Sequence, residues 1–231
     1  MSFQIAIDGP VSAGKGTVSR LVADRLGLLY VDTGAMYRAV AFKALENHVS
    51  WDGEADLVKL IQDTKIELER PTAKTADGRL VTVLLDRQDV SWQIRTEKIG
   101  QGASVVSTHK LVRQALVKIQ QQIAQGQDVV MEGRDITSVV LPKANFKIYL
   151  TASPVVRAKR RHLDQLTKGH DMTYDEIYHN LVKRDKDDTQ RQASPLLIVP
   201  GAWVIDSSDY SIMQVVDLIV DKAKIIRSQI R

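Results

Sequence analysis

The stretch Gly9-Pro10-Val11-Ser12-Ala13-Gly14-Lys15-Gly16-Thr17 lies directly between an apolar run, Phe3 to Ile7, and a run of helical character from Lys15 to Leu26. A glycine-rich turn between a strand and a helix can aim backbone N–H groups inward while the helix adds the positive end of its dipole, so that together they hold an anion. In that setting Lys15 reaches the outer phosphates of a nucleotide as a point charge. The spacing of Gly9, Gly14 and Lys15 fits the phosphate-loop pattern, but Gly16 takes the place of the usual magnesium-ligating hydroxyl and Thr17 follows one residue late. Residues 9–17 are therefore the expected grip on nucleotide phosphates.

Beyond the loop, short apolar stretches at Phe3 to Ile7, Leu28 to Val31, Asp128 to Met131, Phe146 to Leu150 and Ala202 to Ile205 alternate with helix-period segments. That alternation predicts an α/β fold, a five-stranded parallel sheet covered by helices on both faces. Almost a hundred residues separate the second of these strands from the third, far more than one crossover needs. Within them Lys65 to Arg70 and Leu80 to Asp86 flank Ala76-Asp77-Gly78, and the Asp-Gly pair beside alternating Val81, Val83 and Leu85 suggests a small antiparallel lobe inserted in the main fold. Helical periodicity returns in Leu111, Ala115, Leu116, Ile119 and Ile123, and a last helix is expected from about Ser211 to Ser228.

The 231 residues, 44% of them apolar, suffice for one sizeable core with a small inserted lobe. There is no cysteine, which excludes disulfide and thiol chemistry, and the five histidines, His48, His109, His162, His170 and His179, include no helical metal-ligand pair. The longest uncharged run, Gln192 to Ile205, is broken by Pro195, Pro200 and Gly201 and is too short to span a bilayer. No secretory signal pattern opens the chain, so a cytoplasmic location is expected. A net charge of +4 is compatible with weak attraction to nucleic acid, but basic residues converging on a small phosphorylated substrate give the same sign. Arg157, Lys159, Arg160 and Arg161 sit together, without interleaved aromatics, so no nucleic-acid partner is expected.

Three constellations follow the loop. Asp32-Thr33-Gly34-Ala35-Met36-Tyr37-Arg38 leaves the second strand and enters a helix at the edge where open α/β sheets bind ligands, although Asp32 and Thr33 alone are equally read as a helix cap. Met131-Glu132-Gly133-Arg134-Asp135 ends the third strand, placing two adjacent opposite charges at a buried strand end, where unpaired charge is costly. Arg184-Asp185-x-x-Asp188-x-x-Arg191 lines one helical face with alternating charge, which by itself also describes a salt-bridged surface helix.

In order and spacing these segments resemble the bacterial cytidylate kinase family, and the Gly-Lys-Gly-Thr form of the loop is similar to that of nucleoside monophosphate kinases. The resemblance covers nearly the whole chain. It also includes Ile94-Arg95-Thr96-Glu97 with Ala103-Ser104, Val112-Arg113 and Ser194-Pro195-Leu196. It implies phosphoryl transfer from ATP to CMP or dCMP, with magnesium carried by the nucleotide phosphates and water and with Thr17 as an additional candidate ligand. No other metal, no membrane and no further partner are implied, and a monomer is expected. The division implied is a core of residues 1–32 and 108–231, an inserted acceptor-binding lobe at about 33–107, and a lid at about 155–170.

Carried over residue by residue, the resemblance assigns the acceptor's phosphate to Thr33, Arg38, Arg134 and Arg191. It assigns cytosine to Ser104, Arg113 and Asp135, and the sugar to Arg184 and Asp188. A carboxylate at Asp135 suits the exocyclic amine of cytosine, while Arg113 and Ser104 suit its carbonyl and ring nitrogen. Lys15, Arg134, Arg157, Arg161 and Arg191 are the expected catalytic cations, with Arg157, Arg160 and Arg161 matching the family's arginine-bearing lid. Two departures from the family pattern bear on loop geometry: Val11-Ser12 replaces small polar and glycine residues, and Thr137-Ser138 replaces Gly-Thr. A kinase with another acceptor, such as AMP, UMP or shikimate, and a nucleotide-dependent switch are the rival readings. No Asn-Lys-x-Asp guanine motif supports the latter.

Overall fold

The computed structural model describes residues 2–72, 75, 77–167, 169 and 171–230. Apolar runs with alternating or continuous burial form β1 (Gln4–Asp8), β2 (Leu29–Asp32), β6 (Val129–Gly133), β7 (Phe146–Thr151) and β8 (Trp203–Asp206). They make one parallel sheet in the order β2-β6-β1-β7-β8. Ile5, Ile7, Val31, Val130, Met131, Ile148 and Leu150 are essentially inaccessible, as expected for strands covered on both faces. Helices α1 (Lys15–Leu26), α2 (Thr33–Glu46), α5 (Lys110–Ala124) and α8 (Ile212–Ile230) supply the covering layers, with Val22, Met36, Val40, Leu116, Val216 and Ile219 turned inward. In α5 the buried positions are Val112, Arg113, Leu116, Gln120 and Ala124, whereas Leu111, assigned to the apolar stripe from sequence, is 48% exposed.

All five strands run one or two residues further than their apolar stretches, ending on Asp8, Asp32, Gly133, Thr151 and Asp206. These ends share one edge of the sheet, where a polar terminal residue serves a ligand or a loop and interrupts the apolar signal. Asp8 is the clearest case. Its carboxylate accepts from Ile136 N (2.9 Å), Thr137 N (2.8 Å) and Thr137 Oγ1 (2.6 Å), which fastens β1 to the short helical turn at Ile136–Val140. Thr137, a departure from the family pattern, thus has a structural use.

Between β2 and β6 stand α3 (Glu54–Gln62), a second sheet of β3 (Ile66–Glu69), β4 (Thr82–Leu85) and β5 (Gln88–Asp89), and α4 (Glu97–Val106). The sheet is antiparallel, as expected, but Asp77-Gly78 is not its hairpin turn. Ile66 faces Leu85 and Glu69 faces Thr82, so the connection spans residues 70–81, of which Ala73, Lys74 and Ala76 lie outside the described residues. Asp77 instead accepts from Arg79 and from the indole of Trp92. The tight turn joins β4 to β5 through Asp86-Arg87, both with positive φ (50° and 71°), the backbone of a two-residue hairpin loop without its usual glycine. Asp86 offsets that strain by accepting from Lys65 N and pairing with Lys43.

After β7, α6 (Pro154–Thr167) and α7 (Tyr174–Gln190) pack as a helical pair around Ala158, Ile177 and Leu181. Thr173 and Glu176 form a reciprocal cap at the start of α7. Lys168 and His170, within the lid range expected from sequence, lie outside the described residues. Among the described residues no helix is long and apolar enough to cross a membrane.

Candidate active site

The carboxyl edge of the large sheet opens into a cleft of about 650 Å³. Its wall on one side is the loop between β1 and α1. Gly9 packs so closely on β7 that a Cβ there would stand 1.9 Å from Leu150 O, so no other residue fits. Ser12 (φ 61°) and Gly14 (φ 87°) take left-handed backbone, the reversal by which successive N–H groups converge on an anion. Serine accepts this conformation at some cost where the family has glycine. Val11 through Thr17 line the cleft, whereas Gly9 and Pro10 shape the loop from behind.

Lys15 is 5% exposed and donates to Pro10 O at 2.8 Å, which curls it over its own loop. Burial and the neighbouring Arg134 pull its pKa down. Facing it is Glu132, whose pKa is pushed up by burial and by Asp32 and whose Oε1 accepts from the Tyr30 phenol at 3.4 Å. A Cβ at Gly16 would touch Tyr30 Oη at 3.4 Å and Glu132 Oε1 at 3.5 Å, so the place of the missing loop hydroxyl faces this carboxylate. Thr33 donates its hydroxyl to Glu132 O at 2.7 Å, and Asp32 caps α2 through Ala35 N while pairing with Arg95 at 3.4 Å.

At the far end of the cleft Arg113, reaching in from α5, makes a 2.5 Å ion pair with Asp135, and both are almost wholly buried. Arg113 also donates to Ser107 O and stands 5.4 Å above the ring of Tyr37, whose hydroxyl pKa burial raises to about 12. Arg134 and Asp135, adjacent in sequence, therefore take different partners: Arg134 Nε donates to Asp188 Oδ2 at 2.8 Å. Asp188 binds Arg191 as well (3.4 Å), so α7 clamps the end of β6. The helical face read from sequence as alternating charge is thus turned into the cleft at Arg184, Asp188 and Arg191. Arg184 lines it without a hydrogen bond among the described residues, and its pKa falls to about 10 through burial and Arg134. Arg38 approaches from α2, donating to Ile94 O at 3.4 Å, also with its pKa lowered by burial. Uncompensated, so dense a set of cations is unfavourable in a partly desolvated cleft, and a polyanion relieves it.

Two expected residues stand elsewhere. Ser104 donates to Gly100 O at 3.1 Å and does not line the cleft, in which Ala103 and Ser107 of the same segment appear. Arg157, expected over the phosphates, is 3% exposed and fully engaged: it donates to Ala152 O and Val11 O and grips Asp185 with two nitrogens. Arg160 and Arg161 of α6 do line the cleft; Arg160 donates to Ser207 O at 2.7 Å, and Arg161 meets Glu97 of α4 at 3.5 Å across the cleft mouth. Sequence reasoning gave no role to Glu132, Tyr30, Tyr37, Arg95 or Asp185. Glu132 had a legible signal, a carboxylate at the end of a wholly apolar strand; the tyrosines had none beyond their apolar surroundings.

The donor set beside the loop, Thr17 hydroxyl with the Asp32 and Glu132 carboxylates, consists of hard oxygens suited to magnesium and its waters. Among the described residues no group of three or more His, Cys, Asp or Glu side chains could hold a metal by itself.

A five-stranded parallel sheet, a glycine loop closed over a buried lysine, and cations from five elements turned toward one cleft define a phosphate-loop phosphotransferase. The family model for cytidylate kinase matches residues 5–225. The chain is 43% identical over 219 residues to the cytidylate kinase of Caldicellulosiruptor bescii, covering 95% of this chain and 94% of that protein. It is equally 43% identical over 219 residues to that of Bacillus subtilis, covering 95% of each. The chain belongs to the cytidylate kinase family. Among solved structures, an uncharacterized protein from Eubacterium ventriosum shares the fold, with a TM-score of 0.50 at 10% identity over 96% of this chain and 99% of that one.

Proposed function

We propose that this chain transfers the terminal phosphoryl group of ATP to CMP or dCMP, giving CDP or dCDP and ADP. One observation carries the reading beyond a generic phosphate-loop kinase: the buried Arg113–Asp135 pair stands in the same cleft as the Lys15 loop. A carboxylate fixed by an arginine offers an acceptor to an exocyclic amine, and the arginine a donor to a carbonyl, the pattern of cytosine and not of uracil.

The loop backbone at residues 11–17 holds the ATP phosphates and Lys15 moves from Pro10 O to the transferred group. Arg38, Arg134 and Arg191, with Thr33, take the acceptor's phosphate, and Arg184 and Asp188 take its sugar. Phosphoryl transfer needs little covalent help, so rate comes from alignment and from cations preorganised around the migrating charge. Asp188 keeps Arg134 and Arg191 aimed before substrate arrives. Thr17, Asp32 and Glu132 would hold magnesium and its waters beside the phosphates, where the metal would supply neutralising charge. Residues 33–107 act as the acceptor-binding lobe on a core of 1–32 and 108–231, and 155–170 as the lid bringing in Arg160 and Arg161, with closure excluding water.

A thermal-shift panel tests this reading. CMP and dCMP are expected to raise the melting temperature well above the effect of equimolar UMP or AMP, because a ligand bound to the native state stabilises it by mass action. Equal shifts for all four nucleotides, or the largest for AMP, reject it.

A further inference from the structure

Val11 is held at both ends by the helical pair α6–α7. Its carbonyl accepts from Arg157 Nη1 at 3.2 Å, and its side chain packs against the small apolar cluster of Ala158, Ile177 and Leu181. Arg157 is in turn fixed by Ala152 O (2.8 Å) and by Asp185 on α7 (3.1 and 2.6 Å). The next residue, Ser12, is the left-handed one that turns the loop. The same α6 carries Arg160 and Arg161 into the cleft.

We propose that Val11 is a positioning residue, with Arg157 and Asp185 as its anchor, that makes the phosphate loop move as one body with the arginine-bearing helices. The proposal rests on the phosphoryl-transfer reading above. Arg157 directs four of its five N–H donors to Val11, Ala152 and Asp185, so its guanidinium holds the loop to α6–α7 rather than reaching into the cleft. A polar residue at position 11 would keep the loop's backbone but lose the apolar peg, so the loop and the arginines of α6 would no longer arrive together. Misplacement of a reacting group by about an ångström costs on the order of 100-fold in rate, so even a fractional loosening is measurable. The effect belongs to the donor side, because Val11 is part of the phosphate loop itself, whereas Arg38 and Arg134 stand on α2 and at the end of β6.

Steady-state kinetics of Val11→Ser, Asp185→Asn and the double variant test the coupling, alongside wild type. Val11→Ser is expected to raise KM for ATP about 3-fold to 10-fold, with KM for CMP changed less than about 2-fold, as loss of contacts on one substrate only should do. Asp185→Asn is expected to give the same split, and the double variant less than the product of the two, because both contacts hold the same loop residue to the α6–α7 pair. Val11→Ile, which keeps the peg, should fall between Val11→Ser and wild type. If Asp185→Asn does not fold, Ile177→Val trims the other side of the peg and replaces it in the cycle. Equal rises in both Michaelis constants, a lowered melting temperature with unaltered kinetics, or a fully multiplicative double variant overturns the coupling. A wild type that does not phosphorylate CMP overturns the functional reading instead, so the two failures are distinguishable.

Discussion

Arg134 Nε donates to Asp188 Oδ2 at 2.8 Å, joining the end of β6 to the C-terminal turn of α7. Arg134 has its pKa raised although burial opposes the charge, because Asp188, Glu132 and Asp8 together outweigh the desolvation; Asp188 is lowered in spite of its own burial, through Arg134, Arg191 and Arg184. The pair holds a cation in place at a site where an isolated one would be expelled or would fold back.

Removing the carboxylate should therefore disturb two arginines at once. Asp188→Ala is expected to destabilise the protein by about 3 kcal/mol, the scale for leaving a buried partner unpaired. Both acceptors should lose kcat/KM by roughly 100-fold with KM for ATP nearly unchanged, as for a lost transition-state contact. A larger loss for CMP than for dCMP would place the carboxylate on the 2′-hydroxyl. A variant with wild-type kinetics and stability would show that Arg134 needs no support.

Lys15 combines a catalytic position with an unfavourable environment. Lys15→Met should lower kcat by roughly 100-fold or more, the scale for one preorganised electrostatic group. Without nucleotide it should melt no lower than wild type, because a buried ammonium whose pKa is depressed contributes no stability at neutral pH. Circular dichroism melts and a coupled assay on one preparation check both halves. Retained turnover would mean the loop does not place the transferred phosphate.

Glu132 gives a pH signature. Its pKa is raised in the folded chain, so between the ordinary glutamate value and the raised one the native state holds a proton that the unfolded state has lost. Its contribution is favourable at low pH and disappears as pH rises through the folded value. Glu132→Gln, always neutral, should gain stability over wild type by on the order of 1–3 kcal/mol at pH 8 and by much less at pH 5. Denaturant melts of both proteins at the two pH values decide; a gain that shrinks with rising pH contradicts the assignment.

Much of this was legible in the sequence where one element carries its own signal. The loop, the five strands and the charged segments at 131–135 and 184–191 are local patterns, and each sits where periodicity puts it. What escaped is pairwise and non-local. Nothing in the adjacency of Arg134 and Asp135 says that one turns to α7 and the other to Arg113 on α5. Arg157 reads like its neighbours Arg160 and Arg161, yet its place on the inner face of α6 buries it against Asp185, while they remain at the cleft. The Asp86-Arg87 turn was hidden because its strain is offset by a lysine distant in sequence, and Asp77-Gly78 carried the more familiar turn signal.

The Arg113–Asp135 pair bears the central claim, that the cleft reads cytosine. The most direct measurement is kcat/KM for CMP, dCMP, UMP and AMP with ATP and magnesium, in wild type and in Asp135→Asn. The account predicts CMP and dCMP far ahead in wild type. In the variant it predicts a loss of roughly 10-fold to 100-fold for CMP and a much smaller loss for UMP, matching about 1–3 kcal/mol for a base-reading contact. AMP as the best wild-type acceptor, or an equal fall for CMP and UMP in the variant, would contradict it.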